Sequence, residues 1–129
     1  MSIVYLDGAY VPMEEARISP MDRGFLFGDG IYEVVPSYSG RMVGFGPHID
    51  RMNDGLAAID ISLDWTHEQW RAVCEELIER NGGGDLGIYL HVSRGADSRR
   101  FHAYPEGVEP TVFAFIFDIP PSPIADKST

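Results

Sequence analysis

Residues 111–119, TVFAFIFDI, carry apolar side chains at both odd and even positions. A strand with one face in water alternates apolar and polar residues, whereas a strand covered on both faces is an almost continuous apolar run. The segment is therefore predicted to be a central strand that is covered on both faces. The proline-rich residues 120–123 follow it and should end it, because proline cannot donate to a strand ladder.

Two further segments also read as strands. Residues 86–93, LGIYLHVS, place leucine, isoleucine and valine at every second position, which is the period of a strand with one buried face. Residues 30–38, GIYEVVPSY, would place Glu33 on one face and Tyr32 on the other. Pro36 in this segment indicates a sheet edge or a bulge, because its missing N–H interrupts a ladder.

The N-terminal segment predicts a hairpin followed by less regular structure. Apolar residues 3–6 and 9–11 flank an Asp-Gly pair at positions 7 and 8, which favours the type I′ turn of a two-residue hairpin. Residues 14–18 are interpreted as another short strand. Residues 19–24 are interpreted as a loop from their composition.

Two helices are predicted between the strands. The first begins at Pro47, a residue suited to the first helical turn, and then repeats apolar residues at helical spacing, namely Ile49, Met52, Leu56 and Ile59. The second opens with a capping box of Thr66 and Gln69 and carries one apolar stripe, made of Trp70, Val73, Cys74, Leu77 and Ile78. This order of elements predicts an α+β fold, a mainly antiparallel sheet packed with two helices.

Composition and charge exclude several classes of function. The formal net charge of −10 repels nucleic acid and anionic membrane surfaces, so neither is an expected partner. No apolar run is long enough to cross a bilayer, and the N-terminal residues do not resemble a signal peptide. A single cysteine, Cys74, cannot form an internal disulfide, and a reducing cytoplasm is therefore the expected location.

Arg51 lies near the start of the first predicted helix, in the segment His48-Ile49-Asp50-Arg51. The N-terminal end of a helix attracts anions, and a guanidinium group can hold a phosphate through two donors. The alternative is that Arg51 pairs with Asp50 or Asp54 on a solvated helix surface, as many surface arginines do. The residues alone leave both interpretations open.

A second cationic cluster lies in residues 94–102, where three arginines and a histidine occur within nine residues of an acidic chain. Guanidinium groups match carboxylates at two points, so a carboxylate substrate is one interpretation. A solvated loop with counter-charges is the other. Tyr32, on the predicted strand of residues 30–38, is by itself either a packing residue or a functional hydroxyl.

Taken together and in this order, these segments resemble the N-terminal domain of class IV (fold type IV) pyridoxal 5′-phosphate (PLP)-dependent aminotransferases. The nearest resemblance is to the D-amino-acid type. The resemblance covers residues 5–117. It rests on Asp22-Arg23-Gly24, on the segment FGDGIYEVV at residues 27–35, on the His48 to Arg51 segment, and on the segments at 92–95 and 100–102.

The resemblance implies a role for each matching residue. Arg51 corresponds to the arginine that binds the phosphate of PLP, and Tyr32 to a tyrosine that helps to hold the substrate carboxylate. Arg100 and His102 correspond to the remaining pair of that carboxylate site, which in this family reaches into the neighbouring subunit and so implies a homodimer. The loop before His102 is one residue longer than usual, so Arg99 could replace Arg100, but Arg100 keeps the two-residue spacing to His102.

The resemblance also implies a division into domains. Residues 1–119 are expected to form the N-terminal α+β domain and residues 120–129 an interdomain linker. The Schiff-base lysine of the family lies in a C-terminal domain, which is expected to be absent here. The sequence contains one lysine, Lys127, which falls well short of the family spacing. The complete enzyme is expected to exchange amino groups between amino acids, of D- or branched-chain type, and 2-oxo acids, and the 129-residue chain alone is expected to be inactive.

Two alternatives remain at this point. The first is a lobe of an aminodeoxychorismate lyase-type enzyme, which shares the fold and the cofactor but eliminates pyruvate. The second is a non-catalytic domain that binds a small anion or a partner protein. An exposed domain interface in such a protein would need to be covered, most simply by self-association.

Overall fold

The computed structural model describes residues 2–96 and 108–120. The strands are β1 (Ile3–Leu6), β2 (Ala9–Pro12), β3 (Gly30–Tyr38), β4 (Arg41–Met42), β5 (Leu86–Ser93) and β6 (Thr111–Asp118). The α-helices are α1 (Arg23–Phe27), α2 (Phe45–Ala58) and α3 (His67–Arg80), and a 3-10 helix spans Met13–Glu15.

The strands form one sheet in the order β2-β1-β6-β5-β3-β4, and each pair is antiparallel. The predicted α+β class is confirmed. β6 lies in the interior of the sheet, with Ala114 opposite Tyr5 of β1 on one side and Leu90 of β5 on the other. The central position predicted for residues 111–119 is therefore confirmed.

The predicted hairpin joins β1 to β2. Asp7 and Gly8 both have positive φ, at 45° and 95°, as a type I′ turn requires. The Asp7 carboxylate accepts a hydrogen bond from the backbone N–H of Val112 at 2.7 Å. The turn that closes the hairpin therefore also ties it to the central strand β6.

One face of the sheet packs against α2 and α3 and contains the core. Strand residues with negligible exposure, such as Val35, Ile88 and Leu90, lie in one cluster with helix residues. Of the helix residues predicted from apolar spacing, Ile59 is the partly buried C-cap of α2, and the others are buried: Ile49, Met52, Leu56, Trp70, Val73, Cys74, Leu77 and Ile78. α2 begins at Phe45, two residues before the predicted start.

The other face of the sheet is aromatic and only partly covered. Tyr89 stacks with Tyr32 at a centroid distance of 5.4 Å and packs against Phe115 at 4.9 Å. Phe115 also contacts Phe113 and Phe117, and Phe117 is 38% exposed. Within residues 2–96 and 108–120, β6 buries Val112 and Ala114 on its helix face, whereas Phe113 and Phe115 on the other face are only partly buried, so the predicted double cover is not seen.

Two local predictions were wrong. Residues 14–18 do not form a strand, because the N–H of Ala16 bonds back to the carbonyl of Met13 at 3.1 Å and closes a 3-10 turn. The predicted loop at residues 19–24 is wrong at its last two residues, where the five-residue helix α1 begins; this helix is too short to show a helical period. Gly28 ends this helix in the left-handed region, with φ 63°, and feeds the chain into β3.

Pro36 lies in β3, opposite Gly87 of β5. Its carbonyl accepts from the N–H of Val43, on the side away from β5. Because the N and C=O of one strand residue point the same way, the missing N–H also faces away from β5. β3 is flanked by β5 and β4, so Pro36 does not lie on an edge strand, but it directly precedes the β3–β4 pairs and the β3–β5 ladder loses no hydrogen bond. No helix of the described ranges is long and apolar enough to span a membrane.

Candidate active site

The predicted phosphate-binding residue, Arg51, is held by a carboxylate from the sheet. Its Nε donates to Oε2 of Glu33 at 2.7 Å, and its Nη2 donates to Oε1 at 2.8 Å. Glu33 lies on the helix face of β3, where its side chain is 6% exposed. Arg51 projects from α2 with a side chain that is 71% exposed. The pair therefore joins a fixed buried carboxylate to an exposed guanidinium group.

His48, one helical turn before Arg51, shares the same carboxylate. Its Nδ1 lies 2.8 Å from Oε1 of Glu33. Hydrogen bonding from Arg51 lowers the pKa of Glu33, burial opposes this, and hydrogen bonding with His48 lowers the pKa further. Because an ionised carboxylate only accepts hydrogen bonds, Nδ1 of His48 carries the hydrogen.

Arg51 retains an open edge beside a cleft. Within the described residues its Nη1 makes no hydrogen bond, so the Nη1–Nη2 edge is available to a ligand. The adjoining cleft has a volume of about 340 Å³ and is lined by Gly44, Pro47, His48 and Arg51. Gly44 is the N-cap of α2; it has left-handed backbone dihedral angles and provides no side-chain cap. A Cβ added to it would lie 3.5 Å from Cδ2 of His48. The donors and the helix N-terminus suit a small anion.

The alternative pairing of Arg51 along its own helix is not the one observed. Arg51 pairs with Glu33 of β3, and Asp50 contacts Nε2 of His67 on α3 at 2.8 Å. Arg51 is thus oriented by the sheet and not by a neighbouring helical residue.

Tyr32, the predicted substrate-binding residue, lies on the aromatic face of β3 and is 61% exposed. Its ring stacks on Tyr89 with an interplanar angle of 15°. Strand alternation places Tyr32 and Glu33 on opposite faces, so the structure does not bring Tyr32 and Arg51 onto one face. β4 pairs with β3 only opposite Ser37 and Tyr38, and no other strand among residues 2–96 and 108–120 pairs with this edge of β3 at Tyr32 and Glu33.

A second charged cluster anchors the ends of β3 and β5. Asp29 accepts from Nε of Arg23 at 2.9 Å and from Nε of Arg94 at 2.7 Å. Arg94 also donates to the carbonyls of Ile59 and Asp60, at 2.6 and 3.1 Å. Burial raises the pKa of Asp29, but hydrogen bonds and charge from Arg94 and Arg23 outweigh burial and hold it below its usual value. Arg94 is therefore a buried structural residue. It fits neither interpretation of the 94–102 cluster, which were a carboxylate-binding site and a solvated loop.

A third cluster lies beneath the aromatic face. The buried carboxylate of Asp22 caps α1 by accepting from the N–H of Gly24 and also accepts from the hydroxyls of Ser93 and Thr111, both at 2.6 Å. It borders a cleft of about 530 Å³ whose other lining residues include Phe25, Tyr89, His91 and Phe113. Burial lowers the pKa of His91, and the charge of Asp22 opposes this shift.

Arg100 and His102, predicted to hold the substrate carboxylate, lie outside the described residues, as do Arg99, the alternative to Arg100, and Lys127. Glu33, His48 and Asp29 are site and anchor residues that the sequence did not single out. Of these three, only Glu33 could have been recognised from its local sequence. It is an acidic residue on the helix face of a strand whose other residues on that face are apolar or small. A buried carboxylate there requires a cationic partner.

Sequence similarity to known proteins assigns the chain to a family. The sequence profile of amino-transferase class IV matches residues 30–129. The D-alanine aminotransferase of Listeria monocytogenes serotype 4b (strain F2365) is 37% identical over 103 residues, which cover 80% of this chain and 36% of that protein. The D-alanine aminotransferase of Staphylococcus haemolyticus is 34% identical over 116 residues, covering 89% of this chain and 41% of that protein.

Solved structures show the same fold at lower sequence identity. The branched-chain amino acid aminotransferase of Escherichia coli superposes with a TM-score of 0.84 at 17% identity, over 92% of this chain and 41% of that one. The branched-chain aminotransferase of the thermophilic archaeon Thermoproteus uzoniensis, solved with norvaline, gives 0.78 at 21% identity, over 92% and 41%. The chain spans about two fifths of the length of these relatives. It belongs to the class IV aminotransferase family.

Proposed function

We propose that this chain provides the cofactor-phosphate and substrate-carboxylate contacts of a PLP-dependent aminotransferase, which moves an amino group between an amino acid and a 2-oxo acid. D-amino acids are favoured as substrates over branched-chain amino acids. The relatives at 34–37% identity are D-alanine aminotransferases, whereas the likeness to branched-chain enzymes at 17–21% identity concerns the fold alone.

The open guanidinium edge of Arg51 carries this proposal. Glu33 occupies the Nε–Nη2 side at 2.7 and 2.8 Å, which leaves the Nη1–Nη2 edge beside the cleft at the start of α2. Phosphate oxygens match such an edge at two points. The residues present therefore fit the phosphate of PLP, and Arg51 would hold it.

When bound, PLP supplies an electron-withdrawing ring that stabilises negative charge at the α-carbon of the substrate. The chain's own contribution is positioning. Arg51 and Tyr32 lie on the two sides of the open edge of β3, so a ligand lying across this edge could contact both. The phenol of Tyr32, exposed and supported by the ring of Tyr89, can donate a hydrogen bond to a substrate carboxylate.

Arg100 and His102 complete the proposed carboxylate site. A guanidinium group and an imidazole two residues apart can bind the carboxylate together with Tyr32. We assign this contact to the neighbouring subunit, so a homodimer is part of the proposal.

The proposed domain boundaries follow the family pattern. Residues 1–119 form the domain, residues 120–129 the linker, and the lysine that holds the cofactor belongs to a segment beyond this chain. Lys127 does not take that role. Turnover is therefore expected only when the chain is combined with that segment, because transamination needs the amine of a suitably placed lysine.

Pyridoxamine 5′-phosphate tests the phosphate contact, because it needs no lysine to bind. The measurement is the ratio of dissociation constants for pyridoxamine and pyridoxamine 5′-phosphate, from NMR titrations of the 129-residue chain. Arg51→Gln should reduce this ratio at least about tenfold, the effect of losing one charge-assisted contact. Arg80→Gln is the matched control, because Arg80 forms an exposed pair with Glu76 at 2.6 Å on α3. Equal ratios in native protein and Arg51→Gln would refute the assignment.

A further inference from the structure

We propose that Glu33 is the positioning residue of the phosphate site, because it fixes Arg51 and His48 so that the outer edge of the guanidinium group faces the anion. This inference rests on the proposed function of Arg51. The orientation of Arg51 is then set in the free protein, before the ligand binds.

The restraint begins in the sheet. Glu33 lies within the β3–β5 ladder, opposite Leu90, and only 6% of its side chain is exposed. Its carboxylate is therefore a fixed reference point. The two bonds to Arg51 use the planar Nε–Nη2 side and so define the plane of the whole guanidinium group.

Arg51 needs such a restraint because its side chain is 71% exposed. An exposed arginine samples many rotamers, and a ligand that selects one of them must offset the lost conformational freedom. The pair with Glu33 selects one geometry in the free protein. Binding then requires less ordering, which is how preorganisation increases affinity.

His48 is oriented by the same carboxylate. Its Nδ1 bonds Glu33, and its opposite edge, formed by Cδ2 and Nε2, lies beside Gly44 at the cleft. A Cβ added to Gly44 would lie 3.8 Å from Nε2 of His48. One carboxylate thus sets the orientation of two side chains that line the same cleft.

Charge and positioning predict opposite effects of Glu33 on anion binding. A carboxylate beside a phosphate site repels the ligand, so on charge alone Glu33→Gln should strengthen binding. If positioning dominates, the same substitution weakens binding, because one of the two accepting oxygens becomes an NH2 group that cannot accept a guanidinium bond. Glu33→Asp separates the effects further, since it keeps the charge but is one methylene too short to hold Arg51 in the same way.

The test compares the ratio of dissociation constants for pyridoxamine and pyridoxamine 5′-phosphate in native chain, Glu33→Gln and Glu33→Asp. We expect both substitutions to reduce the ratio about fivefold, which corresponds to the cost of immobilising one long side chain. Glu76→Gln and Glu76→Asp are the controls, because Glu76 holds Arg80 in an exposed pair away from the cleft. An unchanged or increased ratio in Glu33→Gln would overturn the proposal, and so would an unchanged ratio in Glu33→Asp.

A measurement on the native chain provides an independent check that needs no variant. The Nε–H of Arg51 should exchange with water more slowly than the Nε–H of Arg80, because its acceptor is buried. Equal exchange rates would contradict a fixed Arg51. If the native chain binds pyridoxamine and pyridoxamine 5′-phosphate equally, the phosphate site itself is refuted. If the native chain prefers pyridoxamine 5′-phosphate and both Glu33 variants keep that preference, only the positioning role is refuted.

Discussion

Asp29 and Arg94 form a two-point ion pair that joins the residue before β3 to the residue after β5. Nε of Arg94 lies 2.7 Å from Oδ2 of Asp29, and Nη2 lies 3.2 Å from Oδ1. The side chains of Arg94 and Asp29 are 6% and 10% exposed. The same carboxylate also pairs with Arg23, so Asp29 contacts two buried cations beside the β3 strand that carries Tyr32 and Glu33.

Asp29→Asn should lower the free energy of unfolding by about 3 kcal/mol, because it breaks the buried ion pairs that one carboxylate makes with Arg94 and Arg23. Urea unfolding followed by circular dichroism measures this change. Asp50→Asn is the control, because the contact between Asp50 and His67 is largely exposed and should be worth less than about 1 kcal/mol. Similar losses in the two variants would contradict the anchoring role of Asp29.

Stability should fall in acid through Asp29 and Glu33. Both carboxyl groups have pKa values below their usual range in the folded chain, so the unfolded chain binds protons more readily. Their contribution is present above the unfolded values, at about pH 4, and is lost as the pH falls through the lower folded values. Unfolding free energies measured from pH 6 to pH 2 should therefore decrease less steeply in Asp29→Asn than in native protein. A parallel decrease would contradict the prediction for this residue.

Gly30→Ala should destabilise the fold by about 2 kcal/mol, because tight packing cannot accept the added methyl group. A Cβ at Gly30 would lie 2.6 Å from the carbonyl oxygen of Val92, and this backbone atom is held in the β3–β5 ladder. Gly46→Ala is the matched control, since a Cβ there meets no atom within 4 Å and the helix gains from alanine. Thermal unfolding should show a lower Tm for Gly30→Ala and an equal or higher one for Gly46→Ala. The opposite order would contradict the close contact between β3 and β5 at this position.

Thr66→Ala should cost about 1 kcal/mol by removing the N-cap of α3. The Thr66 hydroxyl accepts from the N–H of Gln69 at 3.2 Å, and Oε1 of Gln69 accepts from the N–H of Thr66 at 2.8 Å. Glu75→Ala, an exposed substitution within the same helix, should change stability by less than about 0.5 kcal/mol. Chemical denaturation distinguishes the two, and an equal effect would show that the capping box contributes nothing measurable.

Features with local causes could be predicted from the sequence. The capping box of Thr66 and Gln69, the apolar stripe that follows it, and the Asp-Gly turn at positions 7 and 8 each depend on residues a few positions apart, and the structure confirms them. Pro36 carries a local signal of the same kind, because its missing N–H restricts where in a sheet it can lie.

Features with long-range causes could not be predicted in the same way. Glu33 and Arg51 are 18 positions apart, and Asp29 and Arg94 are 65 apart. No local sequence period indicates such pairs, because they form only once β3 has paired with β5 and packed against α2. The family resemblance pointed to Arg51, but the carboxylate that orients it required the structure.

A crystal structure of the 129-residue chain with pyridoxamine 5′-phosphate is the most direct test of the phosphate site. We expect phosphate oxygens within about 3 Å of the Nη1–Nη2 edge of Arg51, with the bonds from Nε and Nη2 to Glu33 still in place. A phosphate bound elsewhere, with that edge of Arg51 left in solvent, would contradict it.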